Sequence, residues 1–159
     1  MQDFNQELEF TVSNLTEKNR HPDDYFTATI TPPLPLTGDH FEADSIMYSA
    51  IGTNSAITGR FDGGVPNSYL AIQVVFPQDL PDGEHEVGPA GSAIRGTFVF
   101  HPTASSSSEH VRAKKGKLHI ERHPNLNSIN AAIEMEFEYQ NETIKVSNGK
   151  VHATSDNPI

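Results

Sequence analysis

The chain has 159 residues, no cysteine and no tryptophan, and carries 21 acidic against 11 basic side chains for a formal net charge of −10. That length suits a single domain over residues 1–159, and the lack of cysteine excludes disulfides, thiolate zinc sites and cysteine nucleophiles. The acidity argues against the nucleic-acid backbone and anionic membrane surfaces as partners.

The first residues, Met1-Gln2-Asp3-Phe4-Asn5-Gln6-Glu7, show neither a basic n-region nor an apolar stretch, so no signal peptide is read there. A cytoplasmic protein fits, as does a periplasmic or secreted one from which a leader has been removed. No run of apolar residues is long enough to span a bilayer.

Along the chain the dominant signal has period two. Phe4, Leu8, Phe10 and Val12 share one parity opposite Glu7, Glu9 and Thr11, which predicts a first strand. Asn14 to Arg20 is the best helical candidate, short and polar. Phe26, Ala28 and Ile30 predict the next strand, and Thr31-Pro-Pro-Leu-Pro-Leu-Thr-Gly38 is expected to run extended outside any central ladder. From Ser45 to Phe61 both parities are apolar, as in strands buried on both faces. Leu70, Ile72, Val74 and Phe76 alternate, as do Ile94, Phe98 and Phe100, and then Leu118 and Ile120. Asp62-Gly63-Gly64 and Asp82-Gly83 read as turns, and Thr103 to Ser108 as a flexible hairpin tip or loop.

The clearest strand is Asn130 to Tyr139. Ala131, Ile133, Met135, Phe137 and Tyr139 alternate there with Asn130, Ala132, Glu134, Glu136 and Glu138, which places the two sets on opposite faces of a pleated strand. A helix would scatter the three glutamates around its circumference. Gln140-Asn141-Glu142 then marks a sharp reversal. Around Asn148-Gly149 the apolar parity switches from Ile144 and Val146 to Val151 and Ala153, which one inserted residue in a bulge, or a tight hairpin, would produce. About nine or ten short strands at roughly 8–12-residue spacing predict an all-β antiparallel β-sandwich, with a closed antiparallel β-barrel as the alternative.

From Gly116 the chain reads Gly-Lys-Leu-His-Ile-Glu, then from Asn127 Asn-Ser-Ile-Asn-Ala-Ala-Ile-Glu-Met-Glu-Phe-Glu-Tyr, then from Ile144 Ile-Lys-Val-Ser-Asn-Gly-Lys-Val-His-Ala-Thr, with Asp79-Leu-Pro-Asp-Gly-Glu-His-Glu-Val upstream. This order, over about half the chain, resembles small bacterial β-sandwich proteins of unknown function, many of them exported or lipid-anchored. Ala131-Ala132 stands where that pattern has Gly, Val151 where it has an aromatic, and the lipid-attachment cysteine is absent. The resemblance implies an antiparallel sandwich and no catalytic residue.

Eight histidines invite a metal reading. His119 and His123 would lie about 13 Å apart along a strand, too far to share an ion. His119 and His152 are the pair that could become cross-strand neighbours if the last strand pairs there, and a pair alone makes no full site, so no metal or other cofactor is expected. Glu134, Glu136 and Glu138 follow one another at about 6.6 Å, a spacing that a glycosidase carboxylate pair could use. A solvated sheet face with Lys117, Arg122 or Lys145 pairing across strands explains them more simply. Asp79, Asp82 and Asp62 sit at turns without a calcium-loop array, and neither a nucleophile elbow nor a phosphate loop occurs.

Arg112, Lys114, Lys115, Lys117 and Arg122 crowd five of the basic residues into a dozen positions, without interleaved aromatics; a charged edge strand accounts for them. Pro32-Pro33-Leu34-Pro35 reads as a rigid connector. The function expected is a non-catalytic binding or protein-interaction module, its candidate binding residues Arg112, Lys114, Lys115, Lys117, Glu134, Glu136 and Glu138, and its partner a protein with a basic surface rather than nucleic acid. An exported carbohydrate-binding or cell-surface sandwich is the alternative, and a hydrolase using a carboxylate or histidine the second.

Overall fold

Alternation over residues 130–139 becomes a two-faced strand. In the computed structural model, which describes residues 21–34, 36–62, 68–101 and 109–156, Ile133, Met135 and Phe137 point inward at 1% exposure or less. Glu134 and Glu138 between them stand in solvent. The described residues form ten strands: β1 (Tyr25–Leu34), β2 (Gly38–Glu42), β3 (Ser45–Ile51), β4 (Asn54–Asp62), β5 (Tyr69–Pro77), β6 (Gly83–Val87), β7 (Arg95–His101), β8 (Glu109–His123), β9 (Ser128–Tyr139) and β10 (Glu142–Thr154). Among these residues the only helical element is a single 3-10 turn, Pro124–Leu126.

All strand pairs are antiparallel, in the order β2-β1-β10-β9-β8-β7-β5-β4-β3, with β6 added on β8. The sheet curls into a half-barrel because β8 serves both halves. Its first residues, Glu109 to Arg112, pair with β7, and Gly116 to Ile120 pair with β6. The other edge of β8 pairs with β9 from Ala113 onward, after a register shift between Ala113 and Lys115. Such an irregularity bends a strand and sharpens its twist. The end strands β2 and β3 pair with β1 and β4 respectively. No pairing joins β2 to β3 among the described residues, so the curl stays open rather than closing as a barrel.

One apolar core fills the space between the halves. Phe98 of β7 meets Phe137 of β9 edge-on at 5.5 Å, and Tyr139 edge-on at 5.6 Å. Phe26 and Phe41 make a further edge-on pair at 5.5 Å. These are favourable aromatic geometries in addition to the area they bury. The double-parity prediction for residues 45–61 holds in β4, where Ser55 to Gly59 are all buried, and the same is true of Tyr69 to Phe76 in β5. On the outer side of β5, Gln73 donates from Nε2 to Thr58 Oγ1 at 2.7 Å, which satisfies part of a buried amide.

Several local expectations resolve. Gln140 (φ 51°) and Asn141 (φ 64°) form a two-residue turn between Tyr139 and Glu142, the conformation that Asn tolerates in tight hairpins. Asn148-Gly149 is a bulge inside β10, not a hairpin: the register against β9 slips between Val146 and Gly149, with Asn148 at φ 52°. Thr31 to Leu34 run extended, yet they complete β1, with Thr31 opposite Lys145 and Leu34 opposite Gly38. The prolines do interrupt the ladder: among the described residues neither Pro32 nor Pro33 has a partner on β10 or β2, and pairing resumes at Leu34 after a register shift. β2, β6 and the first half of β8 carry too little alternation to be expected from the sequence. The predicted first strand, the Asn14–Arg20 helix, the Gly63-Gly64 turn and the 103–108 loop lie outside the described residues.

Candidate functional site

The outer face of β6, β8, β9 and β10 gathers most of the residues expected to bind. Antiparallel register sets Lys117 opposite Glu134 and Lys115 opposite Glu136, with Lys145 opposite Glu136 on the far side. Glu136 therefore sits among three ammonium groups: Lys115 at 3.5 Å, Lys145 at 3.9 Å and Lys114 at 4.0 Å. Lys114 also donates to Glu138 at 2.6 Å, and Thr143 Oγ1 donates to the same carboxylate at 2.5 Å. These bonds hold the Glu138 carboxyl below, and the Lys114 ammonium above, their ordinary pKa values. Lys117 turns instead to Glu84 at 3.8 Å. A shallow groove of about 580 Å³ runs between these side chains. Gly116 sits in its floor because a Cβ there would strike the Glu134 carbonyl oxygen.

The other two arginines of the basic segment do not join this face. Arg112 lies on the opposite half of the fold and donates to Thr97 Oγ1 at 2.9 Å. Arg122 pairs with none of the three glutamates. Its guanidinium reaches back over the Phe76 ring and donates to the carbonyls of Leu80 and Gln78. Asp82 completes the clamp, accepting the Arg122 backbone N–H at 3.2 Å. Asp82 is thus a tie between the β5–β6 connection and β8 rather than a local turn cap. The basic run in the sequence divides into a neutralised lysine face, a strut on the second half and a clamp.

The metal expectation changes too. β10 pairs with β9 and β1, so β9 separates His152 from His119, and the two are not cross-strand neighbours. His119 stands opposite Ala132 on β9, whereas His152 stands opposite Asn130. His152 Nδ1 donates to Asn130 Oδ1 at 2.5 Å, and Asn130 Nδ2 donates to His123 Nε2 at 3.3 Å. Asn130 is therefore what His152 meets, and it fixes which ring nitrogen carries the proton. Among the described residues no group of three or more His, Asp and Glu side chains is placed to hold an ion. None of their helices is long and apolar enough to cross a membrane.

A second concavity opens where the β1 tail, the β7–β8 end and the β9–β10 turn meet. It encloses about 460 Å³ and is lined by Pro32, Pro33, Leu34, Phe100, Tyr139 and Ile144, with Glu109, Gln140 and Glu142 among them. Phe100 and Tyr139 pack edge-on at 6.3 Å to form one wall. The Tyr139 hydroxyl donates to Glu109; burial first, then that carboxylate, pushes its pKa up to about 12. At neutral pH the phenol therefore stays protonated, with its oxygen oriented by the acid. Leu34 and Ile144 also border a small apolar void in the core.

The chain matches no protein-family model, no curated protein and no solved structure. Its function is read from its own side chains. The cleft was not expected from the sequence because its lining comes from three separated segments, each ordinary by itself.

Proposed function

We propose that the protein is a non-catalytic binding module that docks a protein partner carrying a basic surface. The observation that carries this reading is the placement of its cations. Lys114, Lys115, Lys117 and Lys145 are held by glutamates of their own sheet face, Arg60 by Asp62 and Arg122 by Asp82. The cleft, by contrast, has Glu109 and Glu142 among its lining residues and no Lys or Arg among the described residues that line it. In a chain of net charge −10, that end offers negative potential beside apolar surface, and such a field steers a cationic partner into encounter. The lysine groove is less suited to a glycan, since no aromatic side chain among the described residues lines it to stack on a sugar ring.

The test is capture from native lysate on the immobilised chain, compared with a Glu109→Gln/Glu142→Gln double variant. Raising salt from about 0.05 M to 0.5 M shortens the screening length severalfold and should release the partner. The double variant should retain about tenfold less of it. A partner held equally by both proteins and at both salt concentrations would contradict the reading.

A further inference from the structure

We propose that the cleft between the β1 tail, Phe100 and the β9–β10 turn receives one arginine side chain of the partner, as the anchor of the complex. The inference rests on the charge-steered reading above and adds a place and a chemical group to it. The volume of about 460 Å³ lies within the usual range for a ligand pocket, roughly 300–1,000 Å³, and comfortably holds one long side chain. Its lining divides by chemistry in the way an arginine does. Pro32 and Pro33, the more exposed of the apolar lining residues, offer contact for a three-carbon stem over the buried Leu34 and Ile144, and arginine buries such a stem readily while its head stays polar.

The head would meet acceptors. Glu109 and Glu142 supply carboxylates, while the Tyr139 oxygen gives its proton to Glu109 and accepts from Gln140 Nε2 at 3.4 Å, so the carboxylates are the acceptors for the head. Tyr139, half-buried, supplies ring surface on which a planar guanidinium stacks, with the buried Phe100 edge-on behind it. Lysine suits this arrangement less well. Its ammonium is a compact, strongly hydrated point charge, whereas the guanidinium presents five donors in a plane and sheds water more easily. The floor is already rigid: Phe100 and Tyr139 are packed against Phe98, so little ordering is required on binding.

The experiment titrates the full chain with n-butylguanidinium and follows backbone amide and aromatic resonances by NMR. Saturating shifts at Leu34, Phe100, Glu109, Tyr139 and Glu142 are expected, with Kd ~1 mM for so small a probe. n-Butylamine should bind about fivefold more weakly, and n-butanol should leave these resonances unmoved. Glu109→Gln and Glu142→Gln should each weaken n-butylguanidinium severalfold, and amide spectra that otherwise overlay the parent spectrum show that the fold is kept. Shifts centred on Glu134 and Glu136, equal binding of butanol, or no shifts at all would each overturn the assignment. If salt-sensitive capture of a partner persists in those cases, the site fails while the charge-steered reading stands. If capture is absent as well, both fall.

Discussion

Phe137→Ala is expected to lower stability by about 3–5 kcal/mol, the usual range for removing a fully buried phenylalanine. Phe137 is 0% exposed and packs edge-on to Phe98 at 5.5 Å, one of the aromatic pairs that join β7 of one half to β9 of the other. The side chain already borders a small void with Ile30, Leu34, Leu70, Ile72, Ile144 and Val146. Its removal would enlarge that void rather than let a neighbour fill it, because the residues around it are held in register on five strands, β1, β5, β7, β9 and β10. The void is apolar, so water gains no hydrogen bonds by entering. Urea unfolding should show the loss as a lower midpoint at an unchanged slope, and thermal unfolding as a drop of roughly 6–20 °C. Glu138→Ala on the same strand removes an exposed ion pair with Lys114 and an exposed hydrogen bond from Thr143, and should leave the midpoint close to that of the parent. Equal effects from the two would mean that the faces of β9 had been assigned wrongly.

Gly116→Ala should be the other severe substitution, although it adds only a methyl group. A Cβ at this position would overlap the carbonyl oxygen of Glu134 and lie 2.9 Å from the Met135 Cα. Those atoms are backbone of the paired strand and cannot rotate aside, as a side chain could. β8 would have to separate from β9 at the place where Gly116 stands opposite Met135. Overpacking in a well-filled region typically costs about 1–3 kcal/mol, and displacement of paired backbone puts this case at or above the upper end of that range. Lys117→Ala, next on the exposed face, should stay within about 0.5 kcal/mol. Chemical denaturation of the two variants beside the parent separates these outcomes, and a Gly116→Ala protein of parental stability would contradict the close approach of β8 and β9.

Much of this architecture was legible in the sequence where alternation is strong. The run from Ala131 to Tyr139 fixes both the strand and its faces, since a one-residue slip would bury three glutamates. The parity switch at Asn148 announces the bulge, and Gln140-Asn141 announces the hairpin. β2 and β6 escape notice because five-residue edge strands such as Gly-Asp-His-Phe-Glu and Gly-Glu-His-Glu-Val carry one inward apolar residue each, too few to establish a period. The bend in β8 escapes for a different reason. Ala113, Lys114 and Lys115 say nothing of which neighbours lie on either side, and it is the change of partner from β7 to β6 that marks the turn from one half to the other.

The candidate site divides in the same way. Lys115, Lys117, Glu134, Glu136 and Glu138 do assemble, because their parity puts them on one face once β8 pairs with β9, and Lys114 joins them as the extra residue at the register shift between Ala113 and Lys115. Arg112 does not, since the irregularity at Ala113 places it in the other half, and Arg122 is drawn to backbone carbonyls that no sequence pattern marks. The cleft escapes entirely, for Pro32, Phe100 and Tyr139 are far apart in the chain and are brought together only by the curl of the sheet.

Because the chain has no cysteine, the inward and outward sets of β9 can be compared by single substitution and thiol labelling of the native protein. Glu134→Cys and Glu138→Cys should react at the rate of an exposed thiol, while Met135→Cys should react only as fast as the protein opens. Rapid labelling at 135 with protection at 134 and 138 would invert the faces and, with them, the acidic cleft and its arginine.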